Sequence, residues 1–127
     1  MGSSVPASRN DLPRMPSGAE HVIQRHLDAV RSGDPLAMAA DYASDAVLER
    51  AGKRWIGRDQ VASYFRTVPV RLAGGRVQFT ALDLVALTVR WRIVGGPGHG
   101  TSGTDTYQVR DGQITHQTVQ LSGGADF

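Results

Sequence analysis

The sequence contains no cysteine, which excludes disulfide bonds, a catalytic thiolate and a cysteine-ligated zinc ion. No apolar run approaches the roughly 18 residues that a membrane-spanning helix needs. The N-terminal residues also lack the basic segment followed by an apolar stretch that marks a secretory signal. We therefore expect a cytoplasmic protein that does not bind a membrane.

Lysine is nearly absent, since 13 of the 14 basic residues are arginine, and 12 acidic residues balance them. The arginines are scattered rather than grouped into a basic stripe, so the sequence does not indicate a nucleic-acid partner. The four histidines show no close metal-ligand spacing, and no Gly-x-Ser-x-Gly nucleophile motif is present. The Gly-rich segment 95–100 lacks the spacing of a phosphate loop. No metal and no cofactor are predicted.

A chain of 127 residues is long enough for one domain with a hydrophobic core. Residues 1–16 are rich in serine, proline and polar residues and show no periodicity, so we predict a disordered leader. The folded domain is expected over 17–121, followed by a flexible tail over 122–127.

Two helices are predicted at the start of the domain from apolar spacing and capping signals. The first begins at a capping box that opens with Ser17 and ends near Ser32. The second begins at Asp34-Pro35, where aspartate caps the helix and proline fits its first turn. We expect Ala43 on the buried side of this second helix, with Tyr42 beside it.

A third helix is predicted over 58–68, with Pro69 closing it. The remaining pattern is β. The stretch 76–95 is too long for one strand and must contain two, although no glycine, proline or asparagine marks a turn near Ala86-Leu87. Either this hairpin is unusually bare, or loop residues are missing from it. The other predicted strands are 46–50, 54–56, 102–110 and 113–121.

The element order, with helices mostly first and strands mostly last, predicts an α+β fold. We expect a cone-shaped α+β barrel in which three N-terminal helices pack on a curved, mostly antiparallel sheet. Such a cone leaves an apolar cleft, and clefts of this kind are common ligand sites.

The last two strands meet at Asp111-Gly112, a pair that tolerates the positive φ angles of a tight hairpin turn. Because side chains alternate along a strand, Asp105 shares one face with Gly103, Tyr107 and Val109. An ionised carboxylate among apolar neighbours is costly to bury unless it is paired or protonated. Asp105 is therefore the best candidate for chemistry if this face is the inner one. If the face is the outer one, it is an ordinary solvent-facing residue.

Other residues have both a structural and a functional interpretation. His26 lies inside the apolar stripe of the first helix, where a histidine is either a satisfied core residue or a catalyst. Trp55, Tyr64 and Phe65 have the spacing of core aromatics more than that of a cofactor site.

Four segments of the chain follow a pattern known from one superfamily. They are Ser32-Gly33-Asp34, the stretch 41–47, the stretch 57–61 with Tyr64-Phe65, and the stretch 105–114. With these segments the chain resembles, over almost the whole of 17–121, the nuclear transport factor 2-like superfamily in its SnoaL-like and ketosteroid isomerase-like branch. The resemblance implies the cone-shaped fold, and a homodimer formed through the outer sheet face.

The resemblance also implies roles for individual residues. Asp105 falls where ketosteroid isomerases place the protonated aspartate of the oxyanion hole, and near the acid/base aspartate of SnoaL-like cyclases. His26 falls at the oxyanion tyrosine of the isomerases and Arg50 at their base aspartate, but an arginine cannot abstract a proton at neutral pH. The limonene epoxide hydrolases have an arginine that Arg90 matches, but Arg92 stands where they have an aspartate.

Two functional hypotheses follow. The first is an enzyme that moves protons on a hydrophobic, carbonyl-bearing small molecule, as a polyketide cyclase, isomerase or dehydratase does. Asp105 would be its general acid/base, His26 a partner if within hydrogen-bond reach, and Arg50 a group that orients a carboxylate or enolate. The alternative is a non-catalytic module that binds a small ligand or dimerises. The expected apolar walls of the pocket are Tyr42, Trp55, Tyr64, Phe65, Trp91 and Tyr107.

Overall fold

A curved sheet wraps around three helices in the computed structural model, which describes residues 18–123. The helices are α1 (Gly18–Ser32), α2 (Pro35–Ala40) and α3 (Arg58–Leu72). The strands are β1 (Tyr42–Arg50), β2 (Lys53–Ile56), β3 (Arg76–Asp83), β4 (Thr88–Val94), β5 (Ser102–Arg110) and β6 (Gln113–Gly123). The predicted leader, Ser17 of the capping box and tail residues 124–127 lie outside the described residues. Over the described part of the chain, no helix has the length and apolar character needed to cross a membrane.

The strands lie in the order β2-β1-β6-β5-β4-β3, and β1 and β6 run parallel while the other neighbours are antiparallel. The sheet does not close, because β2 and β3 remain at its two edges. Helices packed against this curved, mostly antiparallel sheet confirm the predicted α+β cone.

One row of directly paired residues crosses the middle of the sheet. Arg50 on β1 pairs with Val119 on β6, Val119 pairs with Asp105 on β5, and Asp105 pairs with Val89 on β4. Directly paired side chains project from the same face. Val89 and Val119 are 0% and 7% exposed, so this face is the inner one. The condition that we attached to Asp105 is therefore met.

The opposite face of the sheet is convex and exposed. Arg90 and Arg92 on β4 and Gln108 and Arg110 on β5 all project into solvent from it. The homodimer through this face remains a prediction.

The structure corrects the expected surroundings of Tyr42 and Ala43. Helix α2 ends at Ala40, and both residues belong to β1. The reason lies at Asp41, whose carboxylate pairs with Arg25 at 2.7 Å and whose carbonyl accepts the Ile114 N–H at 2.7 Å. These contacts direct the chain into the sheet four residues earlier than the predicted start at residue 46.

The prediction that Pro69 closes α3 is wrong, because the helix continues through it to Leu72. A proline lacks one N–H and removes one intrahelical hydrogen bond, but its own carbonyl can still accept. The Pro69 carbonyl accepts the Ala73 N–H at 3.0 Å and completes the last turn.

The hairpin between β3 and β4 closes without glycine, proline or asparagine. The Asp83 Oδ1 atom accepts the backbone N–H groups of Val85 and Ala86 at 3.0 Å each, and Leu87 takes a positive φ of 55°. An aspartate that bonds to the backbone ahead of it forms a turn in this way. The residues present are therefore enough to close the hairpin.

Candidate active site

An inner chamber lies between the concave face of the sheet and the helices. Its free volume is about 60 Å³, which is room for several waters or part of a ring. The chamber is therefore not filled by the protein's own side chains. Six residues predicted for the site line it: His26, Tyr64, Phe65, Trp91, Asp105 and Tyr107.

Three other predicted residues do not line the chamber. Tyr42 is fully buried behind it. Trp55 packs on Tyr64 with ring centroids 4.7 Å apart and so supports the wall from outside. Arg50 lies at the β1 end of the paired row, where its charge acts on Asp105 from a distance.

The carboxylate of Asp105 accepts hydrogen bonds from three side chains. The indole Nε1–H of Trp91 donates to Oδ1 at 3.0 Å, and the hydroxyl of Tyr107 donates to Oδ2 at 3.3 Å. Gln117 forms the third bond. An indole N–H can only donate, so Oδ1 must accept. The carboxylate is part-buried, which leaves it accessible from the chamber.

Gly103 makes the Trp91 contact possible. Trp91 pairs directly with Gly103 across β4 and β5, and its ring lies over the glycine. A Cβ atom on Gly103 would lie 2.5 Å from the ring atom Cζ2 of Trp91 and 2.8 Å from the Gln120 carbonyl oxygen. The missing side chain thus allows the indole to lie flat and direct its N–H at Asp105, two residues along the strand.

Burial raises the pKa of Asp105 from its ordinary 3.8 to about 7. The hydrogen bonds from Trp91, Tyr107 and Gln117 and the charge of Arg50 act in the opposite direction, since each favours the ionised form. A carboxyl group with a pKa near 7 is present in both protonation states at physiological pH. It can therefore accept a proton from a ligand and return it.

His26 does not bond to Asp105 directly. Its Nδ1–H donates to the Met38 carbonyl at 3.0 Å, because a carbonyl oxygen can only accept. Its Nε2 lies 3.4 Å from the Tyr42 hydroxyl, which donates to Gln117 Oε1 in a close hydrogen bond. Burial lowers the pKa of His26 to about 4, so the imidazole is neutral at physiological pH. Tyr42 and Gln117 thus separate His26 from Asp105.

Gln117 is the polar residue of the chamber that the predicted site omits. It is 2% exposed and bonds both Tyr42 and Asp105. The alternation along β6 does indicate that Gln117 and Val119 share a face and that His116 points away. His116 indeed lies outside the chamber, with its Nε2 3.6 Å from Glu49. The sequence does not indicate that Gln117 reaches Asp105.

Among residues 18–123, no three histidine, aspartate or glutamate side chains are grouped in a way that could hold a metal ion. The side chains that line the chamber offer a carboxyl group, an imidazole, phenols and an amide.

Comparison with known proteins gives the family. A family model described as a SnoaL-like domain matches residues 23–117, about three quarters of the chain. The chain belongs to the SnoaL-like family. No curated protein matches this SnoaL-like domain at a significant level.

Solved structures show the same fold. A nuclear transport factor 2-like protein of unknown function from Mesorhizobium loti is 21% identical, with a TM-score of 0.73 and coverage of 87% of this chain and 97% of that one. A candidate polyketide cyclase from Xanthomonas campestris is 27% identical, with a TM-score of 0.61 and coverage of 82% and 90%. A candidate isomerase from Agrobacterium tumefaciens is 18% identical, with a TM-score of 0.66 and coverage of 84% and 99%.

Proposed function

We propose that this SnoaL-like domain is an enzyme that abstracts and returns a proton next to a carbonyl group of a hydrophobic small molecule. Isomerisation, aldol-type cyclisation and dehydration all begin with this step. The observation that carries the proposal is one carboxylate, Asp105, in an apolar chamber with three hydrogen-bond donors directed at it. The names of the structural neighbours from Xanthomonas campestris and Agrobacterium tumefaciens, a candidate cyclase and a candidate isomerase, agree with this class of reaction.

The hydrogen bonds that Asp105 accepts favour a role as general base over a role as a protonated acid that donates to the substrate. An oxyanion-hole aspartate must keep its proton in order to donate it to the substrate oxygen. Trp91 and Tyr107 donate to the two Asp105 oxygens, an arrangement that suits a carboxylate and leaves it lone pairs to receive the substrate proton. We infer that Asp105 is the general base and does not fill the isomerase oxyanion role that the family resemblance implied.

Tyr64 is the proposed partner for the developing enolate oxygen. It lines the chamber, and its hydroxyl accepts a hydrogen bond from Arg71, because a guanidinium can only donate. That bond leaves the Tyr64 O–H proton available to a substrate oxygen. The Arg71 guanidinium also lies 5.3 Å from the centre of the Tyr64 ring, where its charge acts to lower the phenol pKa against the larger effect of burial and so strengthens the O–H as a donor.

Deuterium exchange tests the base without knowledge of the complete reaction. The domain is incubated in D₂O with a panel of aromatic and polycyclic ketones, and deuterium uptake next to the carbonyl is followed by mass spectrometry. Asp105→Asn should slow the exchange by about 10²–10⁴-fold. Tyr64→Phe should slow it by about 10²-fold, because one oxyanion donor is lost. Asp111→Asn, at the exposed turn after the same strand, is the matched control and should leave the rate unchanged.

A non-catalytic ligand-binding module is the second candidate, and the small free volume of the chamber favours it. Ketones that bind to the domain but exchange no deuterium in the wild-type protein would support this alternative. Exchange that persists in Asp105→Asn would show that this carboxylate is not the base.

A further inference from the structure

A second, wider cavity opens between the C-terminal ends of α1 and α3 and the start of β3. It measures about 590 Å³, and we call it the vestibule. Its walls include five residues that also line the chamber: Val30, Met38, Val68, Val77 and Phe79. Because the same side chains bound both cavities, the vestibule and the chamber lie next to each other and share a wall. A ligand that extends past this shared wall from the chamber would enter the vestibule.

The charge in the vestibule is positive. Arg31 and Arg76 line it, and no carboxylate of the described residues does. The guanidinium of Arg31 lies 5.0 Å from the centre of the Phe79 ring, which is also part of the chamber wall. It also pairs with Asp28 at 2.9 Å, and both side chains are more than half exposed. Exposed pairs of this kind are weak, so Arg31 can exchange Asp28 for another anion.

Two carbonyl oxygens at the helix ends beside the vestibule already accept hydrogen bonds. Helix C-termini carry carbonyl groups that attract cations. Here, however, the Val30 carbonyl accepts the Gly33 N–H at 3.1 Å, and the Leu72 carbonyl accepts the Gly75 N–H at 2.8 Å. With these oxygens already bonded, the groups best placed to bind a ligand are the guanidinium donors.

We propose that the vestibule is an anion subsite that holds a carboxylate, or an acid of similar shape, on a substrate whose apolar ring enters the chamber. The inference rests on the proposed function for the reacting end of the molecule, and it narrows the substrate to ring-bearing acids. Arg31 lies over the ring of Phe79, so an acid attached to a ring that passes Phe79 comes within reach of the guanidinium. Arg76 supplies the second donor.

Two dyes with the same ring system separate the acid from the ring. They are 8-anilinonaphthalene-1-sulfonate, which is an anion, and N-phenyl-1-naphthylamine, which lacks the sulfonate. Fluorescence titration at low salt should show tighter binding of the anion. Arg31→Gln and Arg76→Gln should each weaken anion binding about two- to fivefold and leave the neutral dye unchanged. High salt should remove the difference between the dyes.

Two further variants sharpen the test. Asp28→Asn should tighten binding of the anionic dye, because it frees Arg31 from its competing partner. Arg90→Gln, on the convex face of the sheet, is the matched control and should change nothing. Equal effects on both dyes, no advantage for the sulfonate, or no binding of either dye would each overturn the subsite.

The dye assay measures binding and not turnover, so the two proposals can fail separately. An arginine-dependent preference for the anion in a protein that exchanges no deuterium keeps the subsite and overturns the base. Exchange without such a preference overturns the subsite alone.

Discussion

Replacing Asp105 by asparagine should make the domain more stable relative to wild type as the pH rises. The pKa of Asp105 is about 7 in the folded protein and 3.8 ordinarily, so the folded state holds this proton more tightly than the unfolded state. A raised carboxyl pKa contributes stability at acidic pH that is lost as pH rises from about 4 to 7. Asparagine does not titrate, so the variant is free of this loss.

Proton linkage gives the size of the effect. Each pH unit between the two pKa values lowers the free energy of unfolding by about 1.4 kcal/mol. Between pH 5 and pH 8, the wild-type protein should lose about 2.5 kcal/mol relative to Asp105→Asn, most of it below pH 7. The amide also changes the hydrogen bonds in the chamber, but that contribution does not depend on pH and cancels when one pair of proteins is compared at two pH values.

The titration of His26 changes the free energy of unfolding with pH in the opposite direction. The pH dependence of wild-type stability alone therefore does not report on Asp105. Burial lowers the pKa of His26 from 6.5 to about 4, and the folded state therefore binds this proton less tightly than the unfolded state. Its contribution to stability rises with pH over the same window in which that of Asp105 falls. The difference between wild type and Asp105→Asn removes the His26 contribution, because both proteins contain it.

The assay is urea unfolding of both proteins at pH 5, 6, 7 and 8, at constant ionic strength and with circular dichroism as the signal. The stability of Asp105→Asn relative to wild type should increase with each step up to about pH 7 and then level off. A difference that stays constant over the series would refute the reasoning. It would mean that Asp105 ionises normally in the folded protein, and the proposed base would lose its physical basis.

Two substitutions test how the site is built. Gly103→Ala should lower the free energy of unfolding by about 1–3 kcal/mol, because the new methyl group collides with Trp91. Urea unfolding measures this change, with Thr106→Ala on the exposed face of β5 as the control. An unchanged stability of Gly103→Ala would contradict the proposed packing. Gln117→Leu removes a donor to Asp105 and the acceptor of the Tyr42 hydroxyl, so it should move the apparent pKa of the deuterium-exchange rate upward and cost about 1–3 kcal/mol of stability. Thr118→Ala is its control, and a downward movement of that pKa would show that Gln117 does not stabilise the carboxylate.

Local signals in the sequence were enough to predict the hairpin that carries the site. The pair Asp111-Gly112 adopts φ angles of 54° and 76°, as a tight hairpin turn requires. Strand alternation then assigns Asp105 and Tyr107 to one face, and the structure places that face inside. Periodicity could supply this much because the side-chain period of a strand is fixed.

The polar connections of the site could not be predicted, because they join distant parts of the chain. Tyr42 and Gln117 are 75 residues apart in sequence and form a buried hydrogen bond. Their contact depends on the parallel pairing of β1 with β6, and nothing in either segment specifies the partner strand. Tyr42 was expected beside a helix for the same reason: its position follows from Asp41, which Arg25 holds.

Burial and the polar neighbours of Asp105 shift its pKa in opposite directions. This arrangement suits proton transfer better than it suits the stability of the fold. Burial alone would keep the carboxyl group protonated, and a protonated group could not act as a base. Three donors and the charge of Arg50 return its pKa to about 7. An apolar side chain in this position would avoid the cost of burial, but it would leave the N–H of Trp91 without its acceptor. We therefore attribute the carboxylate at this position to the proposed function, in which the chamber that raises its pKa also holds the apolar part of the ligand.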